Sequence, residues 1–294
     1  MTLFNGVTFR HPVLRINNRD HNIDFYQKLG FKLVNEENAI AVFSTKQRNA
    51  HFVIEESPAP DTRAVEGDKK LNRIVVKIPK AAEIEGILGN GIDVERLFKG
   101  KRGYAFETVS PEGDLFLLHS EDNIHELREI ENKTFPENDD LKEVSEFHFE
   151  SLTLNVADKA GTQTFYQTVF DGKLPLDLQF EQGNGADLTV EPQKTWDLEI
   201  LEFKVSKNYD LKALADDLEA KGQSIYTDVN SAEAEQSVSI FVSNGKVHVG
   251  GAYDRLQVYN LAGAQVENAD LAKGVYIVKV TADGKQTTKK VLVK

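Results

Sequence analysis

The chain has 294 residues, 40% of them hydrophobic and 28% charged, with a formal net charge of −12. That length fits about two domains and that composition a packed core, which excludes a mostly disordered chain and makes nucleic acid and anionic membranes poor partners. No apolar run approaches the roughly 20 residues of a membrane span. The opening MTLFNGVTFRHP has no basic segment leading into an apolar one, so the expectation is a cytoplasmic location as expressed. The absence of cysteine removes disulfides, thiolate metal sites and cysteine nucleophiles.

In chain order, Val7 to Ile16 reads as a strand. Ile23, Tyr26, Gln27 and Gly30 follow at helical spacing, with Asn22 or Asp20 placed to cap. Phe31–Asn35, Ala39–Ser44 and His51–Glu55 read as three more strands, giving βαβββ. Leu71–Ile78, Ala81–Leu88, Asp93–Leu97, Tyr104–Val109 and Leu115–His119 repeat the pattern, with Pro111 to Asp114 as a turn. The stretch from Glu121 to Ser145 holds nine acidic residues among 25, with Pro136 in its middle, and reads as a solvated connector. A second copy follows: strand 148–156, helix 160–169, strands near 173–180 and 187–191 with a hairpin at Asn184-Gly185, strand 198–205 and helix 210–221. Its last two strands belong after Ile225. The halves echo each other at an offset of 140, Leu14–Asn18 before Phe25-Tyr26-Gln27 matching Leu154–Asp158 before Phe165-Tyr166-Gln167.

The habit changes near 230–237, where Ser231–Gln236 is a small, polar linker. From Ser237 onward eight Lys+Arg stand against four Asp+Glu, and of the 17 phenylalanines only Phe241 lies there. Strand-like Val238–Val242 and Lys246–Val249 flank Ser243-Asn244-Gly245. Leu256–Asn260, Val275–Val280 and Lys289–Val293 complete about six short strands, a small β-sandwich. The expected domains are 1–120, an acidic linker at 121–146, a possibly truncated 147–230, and 237–294.

Paired βαβββ units with Phe-Tyr on the helix resemble the glyoxalase/bleomycin-resistance/dioxygenase folds of the vicinal oxygen chelate superfamily. FRHPVLRINNRDHNIDFYQKLGFKLVNEENAIAVFS is similar to the streptococcal CppA family, and SLTLNVADKAGTQTFYQTVF to that family's second domain. The fold class implied is α+β, tandem βαβββ modules followed by an all-β Ig-like tail. Carried over residue by residue, the superfamily's four metal ligands fall on His11, Glu55, Arg73 and Leu117, and in the second copy on Ser151, Glu191 and Ile200. A divalent ion wants three or four N or O ligands, and an arginine repels it. His11 and Glu55 therefore read as a vestigial metal pair or part of a ligand cup, with Arg73 neutralising Glu55. No cofactor is expected, a divalent metal being the lesser reading. His119 reads as a partly exposed strand-end histidine. The CppA resemblance also implies a proteinase acting on a host complement protein. No Gly-x-Ser-x-Gly is present, and His125-Glu126-Leu127-Arg128-Glu129 ends in Glu where a zincin helix needs His, so no catalytic residue is assigned. Phe98, Tyr104 and Phe106 are candidates to line a metal-free ligand cup, though packing in the core is the commoner fate.

The C-terminus resembles the sorting domain of type IX secretion cargo, the gingipain-type tail. Val258–Gly263, Leu271–Val280 and Lys289–Lys294 carry the resemblance, and the secretion-signal residues it implies are Gly263, Gly274, Tyr276, Lys290, Val291, Val293 and Lys294. It implies recognition by the type IX translocon, removal by a sortase-like peptidase, delivery to the cell surface and a virulence setting. A CppA-like body points to a lineage without an outer membrane, whereas type IX secretion crosses one. The reading is an engineered chimera, a non-catalytic scaffold carrying an export signal. The alternatives are a complement proteinase or a metal-dependent glyoxalase-type enzyme.

Overall fold

The computed structural model describes residues 3–57, 61–191, 193–206, 208–223, 239–243, 246–250, 254–260, 264–269, 271–282 and 285–293. They fall into two compact units, residues 1–206 and 207–294. The expected boundary at 230–237 and the strands expected after Ile225 lie outside the described residues.

In the first unit β1 (Thr8–Ile16), α1 (Arg19–Lys28), β2 (Lys32–Glu37), β3 (Ile40–Ser44) and β4 (Phe52–Glu56) form one βαβββ module. β5 (Leu71–Lys77), α2 (Ala81–Gly89), β6 (Arg96–Lys99), β7 (Tyr104–Val109) and β8 (Leu115–His119) form the next. β9 (Arg128–Ile130), β10 (His148–Val156), α3 (Lys159–Val169), β11 (Asp177–Gln182) and β12 (Leu198–Lys204) complete the unit.

Two sheets result, and each draws on both halves of the sequence. One has the order β12-β1-β4-β3-β2, the other β11-β10-β5-β8-β7-β6-β9. β12 runs antiparallel to β1 from Thr8↔Lys204 to Leu14↔Leu198, and β10 antiparallel to β5 from His148↔Lys77 to Leu154↔Leu71. The strands of residues 147–206 thus complete the sheets of residues 1–120. Their apolar sides enclose one core, with Tyr26, Phe31, Phe43, Phe52, Phe106 and Phe116 nearly inaccessible. Tyr26 sits 4.8 Å from Phe52 and 5.7 Å from Phe116, edge to face, the geometry aromatic quadrupoles favour.

Local chemistry explains the helix ends. Asn18, not Asn22 or Asp20, caps α1, its side chain accepting from the His21 N–H at 3.0 Å. Asp158, its counterpart 140 residues on, caps α3 through the Gly161 N–H at 3.0 Å. Each cap contributes about 1 kcal/mol. α1 stops at Gly30, which adopts φ 79°, and the Phe31 N–H reaches back to the Tyr26 carbonyl at 3.0 Å, a left-handed ending that favours glycine.

Three expectations change. Residues 187–191 are no strand: Ala186–Thr189 is a 3-10 turn, and Asn184-Gly185 makes no hairpin. The cause is a clamp from the first half, where Arg63 holds Asp187 through two bonds of 2.7 and 2.8 Å and Asp68 accepts from the Asn184 N–H at 2.7 Å. The strand expected at Asp93–Leu97 forms later, as β6. The acidic connector is not merely solvated: Phe135 and Val144 are in the core, and β9 pairs with β6. Glu121 is buried, its carboxylate accepting the N–H groups of Lys101, Arg102 and Gly103 at 2.8–3.2 Å.

The second unit holds α4 (Leu211–Ala220), with Asp210 as its cap, and then, among the described residues, strands as its only regular elements. β13 (Ser239–Ser243) and β14 (Lys246–Gly250) pair with each other. β15 (Arg255–Asn260), β16 (Gln265–Val266), β17 (Gly274–Ala282) and β18 (Lys285–Val293) form a four-stranded antiparallel sheet in the order β16-β15-β17-β18. Its core is built of Val247, Val258, Leu271, Val278, Val280, Val291 and Val293.

Candidate functional site

The positions carried over as metal ligands divide between the two sheets. His11, Glu55 and Ile200 lie in the first, and Arg73, Leu117 and Ser151 in the second. Glu191 is exposed and outside any strand.

His11 and Glu55 do not meet. Register pairs Arg15 with Glu55, four residues along β1 from His11, or about 13 Å at strand rise. His11 is fully buried. Its Nε2 lies 2.9 Å from His51 Nδ1 and 3.4 Å from a Glu202 oxygen, and its Nδ1 lies 3.1 Å from the Pro12 carbonyl. The two rings stack at 4.7 Å. Burial holds both imidazoles below their usual range, His51 at about 4, where Arg10 and His11 add to the effect. This is a neutral pair, held apart from protons by desolvation.

Glu55 faces the buried Arg15 at 3.6 Å, and Arg15 is in turn held by Glu199 at 3.3 Å. The expected neutralisation of Glu55 by Arg73 is therefore a correction. Arg73 lies in the other sheet, 2.8 Å from the buried Glu107. Among the described residues no group of three or more His, Asp or Glu is arranged to hold a metal ion.

The second sheet carries a cavity of about 280 Å³ lined by Arg73, Val75, Arg96, Phe98, Leu117, Ile124, His125, Leu127, Ser151, Thr153 and Gln179. Glu107 takes Arg73 on one oxygen and Arg96 on the other at 3.2 Å, while Arg96 also reaches Glu129 at 2.6 Å. Two guanidiniums and two carboxylates thus neutralise the wall. Of the expected aromatics only Phe98 lines it. Phe106 is core, and Tyr104 packs on Phe135 beneath Lys99 and Lys133.

His119 is fully buried rather than partly exposed. Its Nδ1 accepts the Glu121 N–H at 3.1 Å, and its Nε2 lies 2.8 Å from a Glu150 carboxylate oxygen. Burial lowers its pKa. The His125–Glu129 segment forms a 3-10 turn and then β9, with no helix on which a zincin pair could sit.

In the tail, Gly274 pairs with Val293 and Tyr276 with Val291 across β17 and β18, and Lys290 stands opposite Ile277. Val291 and Val293 are buried, and the Tyr276 hydroxyl donates to the Ala272 carbonyl at 2.9 Å. Gly263, Lys294 and the Lys290 side chain lie outside the described residues.

His51, Glu202, Arg96 and Glu107 were missed by sequence reasoning. Their roles depend on which strands pair, and the only local signal was a charged residue inside an apolar strand run, as at Glu107.

Three family models match along the chain. They are CppA N-terminal over residues 9–130, CppA C-terminal over 144–240, and the secretion system C-terminal sorting domain over 220–294. The cppA protein from Streptococcus pneumoniae TIGR4 is 36% identical with a TM-score of 0.63, covering 74% of this chain and 88% of that one. HBP35 of Porphyromonas gingivalis is 27% identical over 35% of this chain and 28% of that one, with a TM-score of 0.19. A glyoxalase I mutant from Zea mays is 13% identical with a TM-score of 0.41, covering 96% and 91%. No curated protein sequence matches.

Proposed function

We propose, for a chain that belongs to the CppA family through its first 240 residues and ends in a secretion-system C-terminal sorting domain, that it is a two-part export cargo. The sorting domain implies delivery to the cell surface by a type IX system. In this reading the CppA-like body is a non-catalytic scaffold, and the tail is recognised by the translocon through its folded sheet and removed by a sortase-like peptidase.

The match of the tail over residues 220–294 carries the reading, supported by a β18 that ends the sheet with Val291 and Val293 locked in its core. A non-catalytic body is supported by Arg73 and Leu117 standing where metal ligands would be, and by Arg15 occupying Glu55. Joining by engineering is supported by the union of a CppA body, whose relative is from Streptococcus pneumoniae, with a secretion-system sorting tail.

The test expresses the full chain behind an ordinary signal peptide in a type IX-competent bacterium. Surface display with loss of the tail is expected, and a chain lacking residues 285–294 should stay in the periplasm. Equal display of both forms contradicts the reading. Metal analysis of the purified chain tests the scaffold claim: one divalent ion per chain, whose removal by chelator lowers the melting temperature, would restore an enzyme.

A further inference from the structure

We propose that the first unit binds a small aromatic phosphate monoester in a cavity between the β3–β4 loop and the starts of β1 and β10. The inference is independent of the export reading.

The cavity has a volume of about 360 Å³, within the range of small-ligand pockets. Arg10, Arg48 and Lys204 line it, with His51 and His148, and no acidic residue does. Arg10, Arg48 and Lys204 are a concentration of cations in a protein of net charge −12. Glu202 takes up Arg10. Arg48 and Lys204 have no ion-pair partner among the described residues. A guanidinium and an ammonium left free around one hollow favour a multiply charged anion, and the Arg fork matches a phosphate in geometry. Beside Thr8 and Asn49, the wall has an apolar part made of Phe9, Ala50, Phe147 and Phe149. Phe147 and Phe149 are buried, and Phe9 meets Phe149 edge to face at 6.3 Å. Such a floor fits a ring carrying the phosphate better than the bare ion.

Arg48 supplies a second, independent observation. It adopts φ 59°, the left-handed region where a long side chain is disfavoured and glycine is at ease. Strain of this kind concentrates at functional positions. The loop that holds it is fixed at several points. The Arg48 N–H donates to the Thr45 carbonyl at 3.0 Å, the Asn49 N–H to Thr45 Oγ1 at 3.3 Å, and the Ser44 hydroxyl to the Ala50 carbonyl at 2.5 Å. The Lys46 N–H donates to the Val144 carbonyl at 2.9 Å. The guanidinium is thus presented from a pre-organised turn, which lowers the ordering cost of binding.

The test titrates the full chain with phenyl phosphate, inorganic phosphate and benzoate by calorimetry at physiological salt. One site per chain is expected, with phenyl phosphate at least about tenfold tighter than either comparison ligand. Arg48→Gly suits the backbone at that position, so it should keep or raise the melting temperature while weakening phenyl phosphate about tenfold or more. Lys204→Gln should weaken it in the same direction, and Glu129→Gln, at the other cavity, should leave it unchanged. No saturable binding of phenyl phosphate, binding indifferent to both Arg48→Gly and Lys204→Gln, or benzoate binding as tightly as phenyl phosphate would overturn the proposal.

Discussion

Single side chains decide what the body can and cannot hold. Arg15, 3% exposed, sits between Glu55 and Glu199 and fixes their charges in place. His51 behaves oppositely, being kept neutral by burial, with a pKa of about 4 against an ordinary 6.5. A group whose folded pKa is depressed in this way favours the folded state while unprotonated. That stability is present above about pH 6.5 and drains as pH falls toward 4. His51→Gln should therefore flatten the loss of denaturant midpoint across that window, and an unchanged slope contradicts the assignment. Gly30 has φ 79°, and a Cβ there would lie 2.7 Å from a Val144 methyl. Gly30→Ala is expected to cost roughly 1–3 kcal/mol, read by chemical denaturation, from backbone strain and overpacking together. His11 and Glu55 were named only through the resemblance to the vicinal oxygen chelate superfamily. Their partners were not, because strand pairing alone brings His51 and Glu202 to His11 and sets Arg15 between Glu55 and Glu199.

At the scale of elements, strand and helix positions were largely legible, since alternation, capping residues and the Phe-Tyr echo are local signals. The connector was not. Its nine acidic residues among 25 outweigh in composition the few apolar ones that matter. Val144 bridges the Gly30 carbonyl at 2.8 Å and the Lys46 N–H at 2.9 Å while filling the core. Val144→Ala should cost about 2–3 kcal/mol in a denaturant titration, from lost burial plus the cavity left behind. Glu121 satisfies three backbone N–H groups at once. Glu121→Ala should destabilise by roughly 1–3 kcal/mol, the cost of leaving buried donors unmade. Retention of full stability by either variant would return these residues to a solvated role. The expected strand at 187–191 failed for the same kind of reason, a long-range Arg63–Asp187 clamp overriding local preference.

For the whole molecule, the repeat was visible in the sequence but the exchange of strands between its copies was not, because pairing partners leave no trace in composition. The consequence is testable. Residues 1–206 expressed alone should unfold in one cooperative transition. Residues 147–206 alone should stay unfolded, since the partners of β10 and β12 are β5 and β1. A folded 147–206 fragment by circular dichroism would contradict this. The all-β character of the tail was legible because its strands pair with near neighbours in sequence.

The contact of Thr8 with Lys204 spans 196 positions. During synthesis the first sheet therefore has an open edge at β1 until almost the entire body has left the ribosome. Loop closure over that distance is slow compared with local pairing. The nascent chain therefore stays incompletely folded for most of its production, with the edge of β1 open to wrong partners until β12 arrives. Mutations in β12 should accordingly depress yield, through aggregation of the waiting intermediate, more than they lower the stability of molecules that finish folding.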